Sequence, residues 1–340
     1  MEKRLINFIG IDVSKNTLDV ALIQVIKEVK QPIKSFVIAN TMAGLKQLEI
    51  ILKDYSVIMS QQTLLVIENT GLYHRLLFNF CVSRDVSICI ENAAQIKWSL
   101  GISRGKNDKV DARRIAVYAY KNREDLQPST MACKAIQELK DLLTIRDKVI
   151  KQINQLKVPI NEMKNYYSKS EISRLEKNIL PGLKGLKASL QNIEKDIANT
   201  INSDEIVKQQ YRLLLSVPGI GKVTALYLLS CTRGFTSYIT GKQLASYAGV
   251  VPFEHRSGVS IRGRSRVHKM ANKNLKRLLH MGAVSCIKNY PEFKAYYERK
   301  QSEGKHKMSV LNAIRNKIIL RVAAVIKNQQ PYVSNYGNAA

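Results

Sequence analysis

The sequence predicts an α/β unit followed by an all-α one. Three observations carry this. Between Asn7 and Tyr120, short apolar runs of strand length alternate with helical patterns; over residues 131–210 the strand signal nearly vanishes; and the formal charge of +27 over 340 residues is concentrated in the last third.

The first strand lies in the stretch Asn7 to Lys15, where Phe8, Ile9, Ile11 and Val13 form an apolar run too short for a core helix. It delivers Asp12 near its C-terminal end. A carboxylate buried there alone costs several kcal/mol, so it must sit at a rim, pair with a cation or bind a metal. Thr17 to Ile26 and Lys34 to Ile38 read as the next two strands of a meander. Thr41 is placed to cap a helix running to about Tyr55, with Leu45, Leu48, Ile51 and Leu52 on one face. Thr63 to Ile67 is a fourth strand, ending at Glu68 and the turn Asn69-Thr70-Gly71. A helix follows from Tyr73 to about Ser83, then a strand from Val86 to Ile90, then helical segments from Ala93. The order β-β-β-α-β-α-β-α is that of an RNase H-like mixed sheet.

Two strands of this order end in an acid, Asp12 and Glu68, and strand ends of such sheets form a natural crevice. A third contribution is KNDKVDARRIAVYAY, residues 106–120. Its Asp108 and Asp111 stand three apart on the first turn of a helix. Two acids matched to a helix dipole explain this pair equally well in isolation. Four carboxylates within about 4 Å, however, repel by roughly 4 kcal/mol per pair at an effective dielectric near 20. Divalent cations make the set sensible, and an oxygen-only donor set suits Mg²⁺ or Mn²⁺.

Residues 131–210 carry Leu, Ile, Lys, Glu and Asn in helical spacing. Ile136, Leu139, Leu143, Ile150, Ile153 and Leu156 approximate a heptad seam, which predicts a helical hairpin or coiled coil. Pro159 and the break at Leu180-Pro181-Gly182 are expected to interrupt it. The arrangement serves either as a spacer or as an oligomerisation arm.

The last segment, 211–330 with a tail to 340, opens with LLLSVPGIGKVTALYLLS. This reads as helix, Pro-Gly turn, helix, with Gly219 and Gly221 letting backbone amides approach a phosphate beside Lys222, in the manner of a helix-hairpin-helix DNA clamp. It is not a P-loop, because its first glycine is missing and Val223 stands where Ser or Thr belongs. Residues 249–277 are the most polar stretch. Arg256, Arg262, Arg264, Arg266 and Lys269 crowd around glycines and serines with no helical or strand period before about Met270. Leu275 to Ile287 and Val310 to Ile326 then read as helices. Tyr290, Tyr296 and Tyr297, in the segment linking them, are assigned to packing ahead of base stacking.

The charge is +5 over residues 1–125, +4 over 126–210 and +18 over 211–340, which contains no aspartate. That surplus calls for a polyanionic partner. With no apolar run of about 18 residues and no signal-peptide pattern, the partner is nucleic acid and not a membrane. The five cysteines are scattered without a CxxC pair, which indicates a reducing cytoplasm and no disulfide frame or structural zinc.

The segments GIDVSK, VIENTG, KNDKVDARR, SVPGIGKVTA, LASYAGVVPFEHRSG and R-x-x-K-x-x-N-x-x-L-K-R-L-L occur in order along nearly the whole chain. Together they resemble the DEDD transposases of bacterial insertion sequences, which include pilin-gene inversion recombinases. The resemblance implies a RuvC-like domain at 1–125, a coiled coil at 126–210 and a transposase domain at 211–330. It implies a metal tetrad of Asp12, Glu68, Asp108 and Asp111, and a C-terminal serine that attacks DNA covalently as in a serine recombinase. It further implies a dimer to tetramer, double-stranded donor and target DNA, a structured noncoding bridge RNA, and a nucleoid-associated place in the bacterial cytoplasm. Where family members often carry two serines before the glycine, this chain has Arg256-Ser257-Gly258. The nucleophile is therefore carried over to Ser257, with Ser260 as runner-up. Two other readings stand beside this one: a Holliday-junction-resolvase type of nuclease using the four acids and water, and a binding protein without catalysis.

Overall fold

The computed structural model describes residues 5–99, 108–130, 132–236, 240–257, 261–267 and 271–334; at 108, 109, 253–257 and 261–266 it describes the backbone only. The chain divides into two compact units, Met1–Met131 and Ala132–Ala340.

The first unit is built on β1 (Asn7–Val13), β2 (Thr17–Ile26), β3 (Val29–Lys30), β4 (Lys34–Ala39), β5 (Thr63–Glu68) and β6 (Ser87–Glu91). Between and after them come α1 (Met42–Asp54), α2 (Arg75–Val82), α3 (Ala93–Ser99) and α4 (Asp108–Lys121). β2 runs antiparallel to β1 and β4, whereas β5 and β6 run parallel to β1, giving the order β4-β2-β1-β5-β6 once the two-residue β3 is set aside. This is the RNase H-like arrangement that the element order predicts. Strand period two sorts the side chains. Ile9, Ile11, Leu18, Val20, Leu65 and Ile67 pack under α1 and α2, and Phe8, Ala21, Ile23, Leu64, Val66 and Cys89 pack under α3 and α4. Thr41 caps α1, accepting from the Gly44 amide at 3.2 Å.

The second unit begins with α5 (Lys134–Met163) and α6 (Lys169–Asn202), an antiparallel helical hairpin. Here the structure corrects the expected breaks. Pro159 and Pro181 both lie inside continuous helices, and the chain turns at 164–168, where Ser168 and Glu171 form a capping box. Both prolines, and the residues Gln155 and Lys177 whose carbonyls they leave unbonded, are exposed, so water satisfies what the ring removes. Ile136, Leu139, Leu143 and Ile153 are buried as expected, but Val149 takes the seam position assigned to Ile150.

There follow α7 (Glu205–Ser216), α8 (Lys222–Cys231), α9 (Gly241–Tyr247), β7 (Pro252–Ser257), β8 (Ile261–Val267), α10 (Lys273–Asn289), α11 (Pro291–Ser302) and α12 (Lys307–Asn328). One hydrophobic core joins the root of the α5–α6 hairpin to these helices, through Ile136, Leu139, Ile201, Leu214, Leu229, Leu279, Ile314 and Ile318 among others. Two elements lie where none was expected. Residues 252–257 and 261–267 form an antiparallel ribbon, not an aperiodic loop, and α11 occupies the linker that carries Tyr296 and Tyr297. Tyr290 packs edge-on to Phe293, and the Tyr296 ring lies 3.7 Å beneath the Lys317 ammonium. Among the described residues no helix is long and apolar enough to cross a membrane.

Candidate active site and nucleic-acid interface

Gly10, in the middle of β1, sets the geometry of the acids. A Cβ there would fall 2.1 Å from the Ala116 nitrogen and 2.6 Å from the Ala112 carbonyl oxygen, so α4 lies directly on the strand. Farther back along β1, the rings of Phe8 and Tyr120 meet edge to face at 5.4 Å. Helix and strand therefore run in opposite directions. Four helical residues cover about 6 Å and two strand residues about the same, which brings the first turn of α4, with Asp108 and Asp111, over the Asp12 end of β1. Glu68 belongs to the same end. The parallel register pairs Ile11 with Ile67, one residue before each acid. Asp12 is in phase with Phe8 and Gly10, and Glu68 with Leu64 and Val66, so both acids lie on the α4 face. The loops beyond them are tied together: the Asn40 amide nitrogen donates to the Ser14 carbonyl at 2.9 Å and to the Tyr73 carbonyl at 3.0 Å.

Two acids that the sequence reading did not single out share this face. Asp19 stands opposite Asp12 in the β1–β2 register and is 9% exposed. Glu91 stands opposite Glu68 in β6. Its carboxyl is pushed above the usual range by burial, against the opposing pull of hydrogen bonds donated by the Tyr118 hydroxyl and the Asn92 amide. Their signal in the sequence is phase: Asp19 alternates with Ala21 and Ile23, and Glu91 with Cys89.

Asp111 forms an ion pair with Arg114 at 2.8 Å. The Asp108 side chain lies outside the described atoms. Among the described residues no three His, Cys, Asp or Glu side chains converge on one cation position. The donor chemistry nonetheless fits a hard divalent cation, because Asp12, Glu68 and Asp111 are carboxylates gathered at one sheet end.

In the second unit, α7, its Pro-Gly turn and α8 form the expected helix-hairpin-helix. The two glycines differ in use. Gly219, at φ +83°, packs against α10, where a Cβ would meet Cys286 Sγ at 2.6 Å and the Gly282 carbonyl at 3.0 Å. Gly221 has open space around its Cβ direction and caps α8, and Lys222 beside it is exposed. That amide and that lysine are the part of the motif free to meet a phosphate.

The ribbon organises the arginines. Arg256 pairs with Arg262 and Ser257 with Ile261, with a bulge between Phe253 and His255. The bulge changes the phase along the ribbon: Arg262 stands opposite Arg256, whereas Arg266 stands opposite Phe253, three residues earlier in β7. Ser257 takes the alternate register position, at the end of β7. Ser260 and Lys269 lie outside the described residues. Four of the five cysteines are poor nucleophile candidates, since burial pushes the Cys81, Cys89, Cys231 and Cys286 thiols up to about 12.

Comparison with known proteins decides the family. The DEDD-type IS110 transposase profile matches residues 9–165, and the profile described as transposase IS116/IS110/IS902 family matches residues 211–298. The pilin gene-inverting protein of Moraxella bovis is 30% identical over 332 residues, which cover 96% of this chain and 97% of that protein. This chain belongs to the IS110-type DEDD transposase family. Another relative, the transposase for insertion sequence element IS1111A of Coxiella burnetii, is 24% identical over 68% of this chain and 69% of its own length. The transposase profiles fall on both units, so the acid-bearing sheet and the helical unit with the ribbon are both parts of the transposase.

Proposed function

We propose that this transposase cuts and rejoins double-stranded DNA through a phosphoserine link made by Ser257, with Asp12, Glu68, Asp108 and Asp111 holding Mg²⁺ or Mn²⁺. The observation that supports it most is the convergence of the Asp12 and Glu68 strand ends with the first turn of α4, in a family whose profiles span both the sheet and the ribbon. A bond from Ser257 Oγ to phosphorus forms as one backbone P–O ester bond breaks, and the hydroxyl proton passes to water or a base while the departing strand oxygen takes up another. Because the ester bond energy is kept in the link, attack by a strand hydroxyl reverses the step and joins new ends without ATP. A divalent ion, held by the acids, would supply charge stabilisation at a DNA phosphate. Lys222, Arg256, Arg262, Arg264, Arg266 and Lys269 neutralise backbone phosphates. The family resemblance adds a structured noncoding bridge RNA that chooses donor and target sites, and assembly as a dimer to tetramer.

The test is a suicide DNA substrate, followed by protease digestion and mass mapping of the trapped peptide. The expected adduct is on Ser257 and is absent in Ser257→Ala. An adduct on Ser260 or on a tyrosine would overturn the assignment, and cleavage that leaves free ends with no adduct would favour the resolvase-like reading.

A further inference from the structure

We infer that Arg315, Lys276 and His280 form a separate anion site in the C-terminal unit, which receives a backbone phosphate of the bound nucleic acid where the β7–β8 ribbon leaves the helical core. The inference rests on the reading that this unit binds nucleic acid and names a place for the contact.

Arg315, in α12, is 5% exposed. Its Nη2 meets His280 Nδ1 at 2.7 Å, its Nη1 reaches Asn312 Oδ1 at only 3.5 Å, and its buried Nε has no partner. No carboxylate among the described residues pairs with it. Arg321, six residues on in the same helix, shows the contrast: Glu292 grips it with both oxygens, at 2.7 and 2.9 Å. A guanidinium buried without a counter-charge is strongly unfavourable, and five donors with so few acceptors leave it incomplete. Its neighbours deepen the imbalance. Lys276 and His280 lie one turn apart on α10, and both are held below their ordinary range, first by burial and then by the Arg315 charge. A guanidinium can only donate, so His280 Nδ1 accepts; the imidazole is neutral and its Nε2–H is a further donor. The cluster therefore offers donors from three side chains and positive charge from two, with no acid among the described residues paired to Arg315. Lys276 and His280 are half-buried, which opens the cluster from the α10 side.

The ribbon's own anchors point to a phosphate as the anion. The Asn312 amide nitrogen donates to the Val250 carbonyl at 2.7 Å, two residues before β7 starts, and Asn272, one turn before Lys276, follows β8 and caps α10. A phosphate here falls within the segment whose charge is +18.

The test uses the full chain with inorganic phosphate, then duplex DNA and a structured RNA as probes. At constant ionic strength, phosphate is expected to raise the unfolding temperature of the wild type above its value in chloride. In Arg315→Met that rise should vanish while stability in chloride is unchanged or greater. Nucleic-acid affinity should drop about tenfold, and the slope of log affinity against log salt should fall by about one. Lys276→Gln, at the open side, should reduce the phosphate shift and the slope without changing stability in chloride. A slope change with DNA alone or RNA alone identifies which strand supplies the phosphate, and either supports the site. If Arg315→Met unfolds and Lys276→Gln leaves shift and slope unchanged, the cluster is structural and the inference is wrong. The serine adduct separates the two claims. A missing phosphate shift with a normal Ser257 adduct overturns the site alone, and a normal shift with no adduct overturns the recombinase chemistry alone.

Discussion

The Gly10 Cα and the Ala116 nitrogen are in such close contact that no side chain fits between strand and helix. Gly10→Ala should therefore lift α4 from the sheet, costing on the order of 1 to 3 kcal/mol by overpacking and displacing Asp108 and Asp111 from the strand ends. Denaturant unfolding should show the loss, and DNA cleavage should fall further than the lost folded fraction accounts for.

Asp111→Asn should abolish cleavage and spare nucleic-acid binding. The amide keeps the size and loses the charge on which a cation depends, and the bond from Arg114 survives on the remaining oxygen. Parallel gel-shift and cleavage assays check this. Loss of both activities together would mark Asp111 as structural.

Binding should weaken steeply with salt, given the charge of +18 on residues 211–340. If six to ten phosphates are contacted, affinity should drop about 10³- to 10⁵-fold between 50 and 200 mM salt. A flat response would remove the electrostatic account.

Acid should destabilise the C-terminal unit through Glu292. Hydrogen bonds from Arg321 hold this carboxyl below its ordinary value of 4.5, so its contribution is present above that value and is lost as pH falls through the lower folded one. Unfolding temperature measured from pH 6 to pH 3 should fall less steeply in Glu292→Gln.

Asn272→Ala should destabilise the foot of the ribbon by about 2 kcal/mol or more. Its Oδ1 accepts from the Leu275 amide at 3.0 Å and the Tyr227 hydroxyl at 3.1 Å, and its Nδ2 donates to the Tyr247 hydroxyl at 2.7 Å, so the change removes a cap and two tyrosine hydrogen bonds at once. Thermal unfolding checks the magnitude.

The sheet was legible because its strands are apolar runs bounded by polar turns, and β2 begins and ends where Thr17 to Ile26 was read. Asp12 and Glu68 stood out as acids ending such runs. Asp19 did not, since it lies inside a strand and its partner across β1 emerges only from the register. The ribbon was missed for a related reason. In Ile261-Arg262-Gly263-Arg264-Ser265-Arg266-Val267 the period of two runs between arginine and small or apolar residues, a pattern that hydrophobicity does not register. Gly219 and Gly221 look alike in sequence, and only the approach of Gly282 separates the packed glycine from the open one.

The α5–α6 hairpin also fixes a length scale. From Leu143, the last α5 residue in the C-terminal core, to Met163 the helix extends about 30 Å, close to one turn of B-form duplex. The turn that ends it presents Tyr166, 85% exposed. Any contact made at that tip would lie about 30 Å along the helix from the core, and trimming about seven residues from each arm shortens that distance by about 10 Å without touching the core.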